Sequence, residues 1–235
     1  MIPRKSADYA KKIFELGGVG YSLKAVTIRI NKIVSLVGSN YRVLDIGCYD
    51  GTIGSLMIKN NNEVYGIEIS EENARCATER GLKVKIQNIE SRLSFEDNFF
   101  DVVVAGEIIE HIVDTDFFID EIKRVLNPNG FLILSTPNVA SLGRRLFLLL
   151  GKNPYFEASF GYPPEARAGH IRFFTKELLL GFLKYKGFQI IKFTSDAVNL
   201  SPDGKLASKL LADLIPTLGR SLIVSAKINK KEPKI

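Results

Sequence analysis

The stretch Val43-Leu44-Asp45-Ile46-Gly47-Cys48-Tyr49-Asp50-Gly51 decides the fold. Apolar residues surround one carboxylate in a short β-type run, and the run ends in a turn opened by Gly47 and closed by Gly51. Glycine in such a turn lets the backbone approach a ligand closely, because no Cβ stands in the way. Helix-like sequence follows to about Lys59, and residues 64–69 form a second β run. Glu68 ends that run 23 residues after Asp45. In a nucleotide-binding βαβ unit, an acid about 20 residues on meets ribose hydroxyls. Neither loop carries the lysine of a phosphate-binding P-loop. A lone glycine turn with a helix-capping acid needs no ligand to explain it, so the rest of the chain must decide.

Outward from this stretch, strand and helix patterns alternate. Residues 6–38 read as helical, interrupted by Gly17, Gly18 and Gly20. Further β runs fall at 41–46, 82–87, 101–105, 131–135, 188–194 and 221–227. Ser70 with Glu71 and Glu72 opens one helix, as an N-cap followed by acids in the first turn. Others are expected over 115–126, 139–150, 175–186 with Thr175 as cap, and 203–214. Asn127-Pro128-Asn129-Gly130 is a stop and turn signal. This alternation predicts an α/β fold: a doubly wound, mostly parallel seven-stranded sheet with helices on both faces. Ligands bind such sheets beyond the carboxyl ends of the strands, at the topological switch point. We expect one domain over 1–235, with 1–40 as an N-terminal helical cap and 139–170 as a lid-like insertion.

Composition sets the outer limits. The chain has 235 residues, 46% hydrophobic and 25% charged, as in an ordinary globular domain. The net charge of +6 is partly the tail Lys227, Lys230, Lys231 and Lys234, so it points only weakly to anionic partners. Two cysteines, Cys48 and Cys76, have no metal-type spacing and read as reduced thiols. Residues 1–14 lack the apolar run of a secretion signal, and no stretch reaches the ~18 apolar residues of a spanning helix. A cytoplasmic protein is expected.

The motifs continue in order: Gln87-Asn88-Ile89-Glu90, Phe99-Phe100-Asp101-Val102-Val103, and Asn127-Pro128-Asn129-Gly130-Phe131. Together with the glycine turn and Glu68, this set resembles the class I S-adenosylmethionine-dependent methyltransferases over about residues 40–195. The resemblance implies a Rossmann-like methyltransferase fold and S-adenosylmethionine as cofactor. It implies that Asp45 faces the methionine amino end and that Gly47, the Cys48 backbone and Gly51 line the cofactor loop. Glu68 would hold the ribose hydroxyls. Asn88, where the family usually has Asp, would meet the adenine amino group, with the Ile89 amide beside the ring. Glu107 would pass near the sulfonium. The family usually has Gly-Cys-Gly-x-Gly where this chain has Gly-Cys-Tyr-Asp-Gly, so Tyr49 would cap the methionine portion. A nicotinamide-dependent dehydrogenase would need a tighter Gly-x-Gly-x-x-Gly pattern, which is absent.

Glu107-Ile108-Ile109-Glu110-His111 follows the fourth β run. On a helix, positions i, i+3 and i+4 share a face, which would bring Glu107, Glu110 and His111 together. The only other histidine, His170, follows the Gly/Pro/aromatic segment 151–169. Carboxylates with neutral imidazoles suit an open Mg²⁺, Mn²⁺ or Zn²⁺ site held by Glu107, Glu110, His111 and His170. The constellation resembles the ubiquinone-biosynthesis O-methyltransferases and the small-RNA ribose 2′-O-methyltransferases. A metal-free reading stays open: Glu110 favours a helix N-terminus, and His111 is a general base or a packed residue. His111 and Glu110 are the candidate catalytic residues in either case.

On the acceptor side, Arg144-Arg145-Leu146-Phe147-Leu148-Leu149-Leu150 is basic and then apolar. It would grip a lipid-like acceptor or touch a membrane surface, although a helix packed on the domain is the plainer expectation. Tyr155, Phe156, Phe160 and Tyr162 would stack on an acceptor or anchor their loop. No basic stripe interleaved with aromatics marks an RNA surface, which disfavours nucleic acid and a ribose-methylating role. The expected activity is O-methylation of a small or lipid-linked hydroxyl acceptor. A non-catalytic methyltransferase-like binding partner is the alternative from another class.

Overall fold

A computed structural model describes residues 23–154, 169–201 and 206–229. Residues 6–22 of the first expected helical stretch, the aromatics Tyr155, Phe156, Phe160 and Tyr162, and residues 203–205 of the last expected helix lie outside the described residues. Seven strands form the main sheet: β1 Arg42–Ile46, β2 Glu63–Glu68, β3 Lys83–Ile86, β4 Phe100–Gly106, β5 Leu126–Pro137, β6 Phe188–Ser195 and β7 Ser221–Ile228. Their spatial order is β3-β2-β1-β4-β5-β7-β6. Strands β1 to β5 pair in parallel, and β7 runs antiparallel between β5 and β6. The order reverses between β1 and β4, the switch point beside which such sheets bind their ligands. Val198–Asn199 and Ala207–Ser208 form a separate short ladder.

The helices are α1 Leu23–Val37, α2 Thr52–Lys59, α3 Glu71–Glu79, α4 Thr115–Val125, α5 Leu142–Leu149, α6 Lys176–Tyr185 and α7 Lys209–Leu214. Several are capped by sequence-legible residues. Ser70 accepts from the Asn73 amide, Asp114 from Phe117 and Thr175 from Leu178; each such cap is worth about 1 kcal/mol. Alternation along β4 explains why the sheet is covered twice. Val102 and Val104 join Ile33, Val43 and Met57 in one core, while Val103 and Ala105 join Phe118, Ile122 and Leu134 in the other.

Three expectations change. Asn127-Pro128-Asn129-Gly130 does not precede the fifth strand but bulges within it: Phe100 pairs with Leu126, and Val102 with Phe131. Asn127 stabilises the bulge by donating to Asp101 at 2.6 Å and accepting from the Asn129 amide at 2.9 Å. The last helix starts later, at Lys209, because Ala207 and Ser208 enter the short ladder. The segment after β4 is not an α-helix. Glu107 sits at φ +57°, and only Ile109–His111 form a 3₁₀ turn.

Candidate active site at the carboxyl edge of the sheet

The glycine loop hangs from β2. The amides of Gly47 and Cys48 both donate to the Ile67 carbonyl, at 2.8 and 3.0 Å. Gly47 has φ +69°, and a Cβ there would stand 2.4 Å from Ile108 Cδ1. The positive φ is what calls for glycine here, and a Cβ would in addition push the Ile108 side chain aside. Glu68 ties the loop to the next helix: its Oε2 accepts from the Tyr49 amide at 3.0 Å, and its Oε1 from the amides of Ile69 and Ser70, each at 2.9 Å. Oε2 keeps acceptor capacity beyond that one amide. Gly51 answers to packing, since a Cβ there would meet Ala77 Cα of α3 at 2.7 Å. The Cys48 side chain is buried in the core, with its thiol pushed up first by burial and then by Asp45.

Asp45 is 4% exposed, and its Oδ2 has no hydrogen-bond partner. Burial, reinforced by Glu68, pushes its carboxyl up to about 7. An uncompensated buried carboxyl is costly unless a charge or donor completes it. Asn88 is exposed in a loop beyond β3, where its side chain accepts from the Glu90 amide at 2.9 Å; Ile89 is half-buried against the core.

The acid–histidine cluster is assembled from four segments. Glu107 exchanges contacts with Ser135: its amide donates to the Ser135 carbonyl at 2.9 Å and its Oε1 accepts from Ser135 Oγ at 3.0 Å. Its Oε2 meets Arg29 Nη1 of α1 at 2.6 Å. Glu110 is 1% exposed. Thr136 Oγ1 donates to its Oε2 at 2.9 Å, and its Oε1 has no partner. Burial, then the neighbouring Glu107, push the Glu110 carboxyl up to about 8, against the pull of Thr136 and Arg29. His111 Nδ1 lies 3.3 Å from the Gly169 carbonyl. A carbonyl only accepts, so Nδ1 carries the proton and Nε2 keeps a lone pair. Burial and then His170 lower the His111 pKa, which favours the neutral ring.

His170 reaches His111 because its chain is hooked onto the 3₁₀ turn. The amides of Ile171 and Arg172 donate to the Glu110 carbonyl at 2.9 and 3.2 Å, and Arg172 donates to the carbonyls of Ile112 and Val113. The two imidazoles stand 4.8 Å apart, edge to face. One candidate ligand atom from each of Glu110, His111 and His170 lies within 4.8 Å of the others. Glu107 is outside this group, contrary to the shared helical face expected of it. The chain turns at positive φ after β4, and Arg29 and Ser135 hold its carboxylate.

A family model described as a methyltransferase domain matches residues 38–155, half of the chain. The chain belongs to the methyltransferase-domain family. Among curated relatives it is 32% identical over 116 residues to the ubiquinone biosynthesis O-methyltransferase of Pelagibacter ubique, covering 48% of each chain. It is 26% identical over 161 residues to the mitochondrial ubiquinone biosynthesis O-methyltransferase of Bos taurus, covering 65% of this chain and 42% of that one. The chain thus spans about half the length of the curated relatives it matches. Among solved structures, an S-adenosylmethionine-dependent methyltransferase from Thermotoga maritima superimposes with TM-score 0.67 at 20% identity, over 95% of this chain and 96% of that one. A 1,6-didemethyltoxoflavin-N1-methyltransferase from Burkholderia thailandensis, with bound S-adenosylhomocysteine, gives 0.57 at 16% identity, over 85% and 76%. Both likenesses show the Rossmann-like methyltransferase fold.

Three residues that sequence reasoning did not single out hold the acid–histidine cluster in place: Arg29, Ser135 and Arg172. Only Arg172 carried a signal, its place two residues after His170. The others arrive from distant elements and leave no local trace.

Proposed function

We propose that the protein transfers a methyl group from S-adenosylmethionine to a hydroxyl of a small or lipid-linked acceptor, with a divalent ion held by Glu110, His111 and His170. The observation that carries this reading is that trio, its ligand atoms within 4.8 Å of one another, beside the glycine loop at one sheet edge. The donor set suits Mg²⁺, Mn²⁺ or Zn²⁺, and the unpartnered Glu110 Oε1 is an atom such an ion would satisfy. On the cofactor side, the unpartnered Asp45 Oδ2 suits an ammonium group.

Bound S-adenosylmethionine supplies an electrophilic methyl group, and a bound divalent ion lowers the pKa of an acceptor hydroxyl. The chain supplies the rest. Asp45 would meet the methionine amino end and Glu68 the ribose hydroxyls, with Asn88 and Ile89 on the adenine side. Tyr49 would cap the methionine portion. Glu107, braced by Arg29 and Ser135, stands where β4 ends and limits how the methyl group is presented. Near-linear approach of the oxygen is the geometric demand of the reaction, and fixed side chains meet it by orientation. The ubiquinone-pathway names of the relatives support a hydroxyl acceptor. Cys48 and Cys76 are free thiols and fit a reducing, cytoplasmic setting.

A second, metal-free reading rests on the Gly169 contact. It leaves His111 Nε2 neutral and lone-paired, able to take the hydroxyl proton directly while Glu110 stays protonated. Methyl transfer from labelled S-adenosylmethionine to a panel of catechols, sugars and polyprenyl phenols separates the two. Activity lost on chelation and restored by one divalent ion supports the metal. Unchanged activity after thorough chelation overturns it in favour of His111 as base. No labelled product with any hydroxyl acceptor, beside tight S-adenosylhomocysteine binding, overturns O-methylation itself.

A further inference from the structure

Glu90 closes the motif Gln87-Asn88-Ile89-Glu90, and its side chain reaches out of the loop that the motif forms. Its Oε1 accepts from the Val113 amide at 2.7 Å, across 23 residues of sequence and onto the acceptor side. Val113 lies two residues beyond the 3₁₀ turn Ile109–His111. The Val113 side chain is 66% exposed, so burial does not fix this stretch of chain. Polar contacts to its backbone do. The Ile112–Val113 peptide is gripped at both poles: Arg172 Nε donates to its carbonyl at 3.0 Å, and Glu90 accepts from its N–H. Arg172 also donates to the Val113 carbonyl. An anion on the N–H and a cation on the C=O polarise one peptide in the same sense, so each contact strengthens the other.

The loop behind Glu90 is firm at its root and open at its tip. Gln87 Nε2 donates to Ser91 Oγ at 3.2 Å and to the Arg92 carbonyl at 2.5 Å, and Gln87 Oε1 accepts from the Ser94 amide at 3.0 Å. Asn88 and Glu90 are exposed, and Asn88 Oδ1 accepts from the Glu90 amide at 2.9 Å. A base docked against Asn88 and Ile89 would therefore order the residue that holds Val113. We propose that Glu90 is a positioning residue: through the Ile112–Val113 peptide it passes occupancy of the adenine side to the acceptor side, so that bound cofactor sets Glu110, His111 and His170 in place. The far end of the relay is Arg172, whose amide, with that of Ile171, donates to the Glu110 carbonyl. Ordering of this kind couples two sites without a large movement, and the coupling is reciprocal. The relay rests on the reading of Asn88 and Ile89 as the adenine side. It needs no metal ion and serves either reading of the acid–histidine cluster.

The test is hydrogen exchange of the full chain, read by NMR at the amides of Ile171 and Arg172, with and without saturating S-adenosylhomocysteine. Local opening sets exchange in such a surface segment. The ligand should slow both amides by about five- to tenfold in the parent, the scale of one charge-assisted hydrogen bond. E90Q keeps an acceptor oxygen in place and should keep most of this response. E90A should lose it, to about twofold or less. Glu90 is exposed, so neither change leaves a cavity. Amides in the middle of β7 report global stabilisation by ligand and should respond alike in all three proteins. A merely structural anchor would speed exchange in E90A equally with and without ligand and leave the ligand response intact; that result overturns the proposal. So does an absent response at Ile171 and Arg172 in a parent that binds S-adenosylhomocysteine by calorimetry. A parent that binds none overturns the cofactor reading itself, and the relay with it.

Discussion

The two halves of the candidate site are built in opposite ways. The cofactor half is local: residues 43–51 and 66–70 form one strand–turn–helix–strand unit, held by backbone amides that converge on Ile67 and Glu68. The acceptor half is composed of distant pieces. Arg29, Glu107, Glu110, His111, Ser135, Thr136 and His170 come from four separate segments and meet through their side chains. Backbone anchoring tolerates exchange of most side chains and demands glycine. Side-chain anchoring gives each residue a consequence of its own. Substitutions on the two sides should therefore fail in different observables.

The largest effect belongs to the acceptor half. His111→Ala should lower kcat by about 10³-fold, within the range for a lost proton-transfer group or its equivalent in orientation. The dissociation constant for S-adenosylhomocysteine should stay within about twofold, since the His111 ring is held by the Gly169 carbonyl and stands against His170, on the other half of the site. Single-turnover kinetics beside calorimetry would check both. A matching loss of cofactor affinity would show that the halves are one unit, and the contrast drawn above would break.

This division also explains what the sequence disclosed. The strands other than the fifth, the caps at Ser70 and Thr175 and the glycine turn are short-range features, and each stands within a residue or two of its expected place; the fifth strand starts five residues early, at Leu126. The Glu107–His111 segment was legible as a cluster but not in its shape. Helical spacing put Glu107 with Glu110, whereas the positive φ at Glu107 turned it toward Arg29 and Ser135. Nothing in the spacing of Arg29 announces that partner, which lies on another element. The exposure of α5 was equally hidden, because an apolar run reads the same whether it is buried or bare.

On the cofactor side the strongest test is Asp45→Asn. Removing a charge-assisted contact to an ammonium group should weaken S-adenosylhomocysteine by about 50-fold. The same change should stabilise the free protein at alkaline pH. The folded carboxyl sits at about 7, above the ordinary 3.8, so the folded state holds its proton more tightly than the unfolded chain. Its contribution is fully present below about pH 4 and is lost as pH rises through about 7. Between pH 5 and pH 8 the parent should lose roughly 2 to 3 kcal/mol through this group, and the Asn variant should not. Urea midpoints at the two pH values would read the difference. Equal slopes in both proteins would show that Asp45 is already compensated and is no cofactor contact.

A smaller effect sharpens the acceptor half. Arg172→Ala removes the donors to Ile112 and Val113 that dock the His170 segment. Two lost hydrogen bonds of this kind cost about 1 to 2 kcal/mol of stability. If His170 works only when docked, kcat should fall about tenfold. Lys at this position restores charge but not the forked geometry, so R172K should recover little. Full recovery by R172K would make the residue a charge and not a clamp.

The smallest effect falls where the cofactor half departs from its own local logic. Tyr49 occupies φ +52° in a loop where the related pattern has glycine, and its ring is 39% exposed. A non-glycine residue in the left-handed region costs about 1 kcal/mol or more, and glycine returns part of any gain as unfolded-chain entropy. Tyr49→Gly should therefore raise stability by no more than about 1 kcal/mol, read as a small upward shift in Tm. A ring that covers the methionine portion should cost a few-fold in S-adenosylhomocysteine affinity when removed, about three- to fivefold if it contributes as one partly exposed aromatic contact. A gain in stability with that loss in affinity marks strain retained for binding. A gain with no loss would leave Tyr49 as a tolerated side chain, and the cofactor half would then be held by backbone alone.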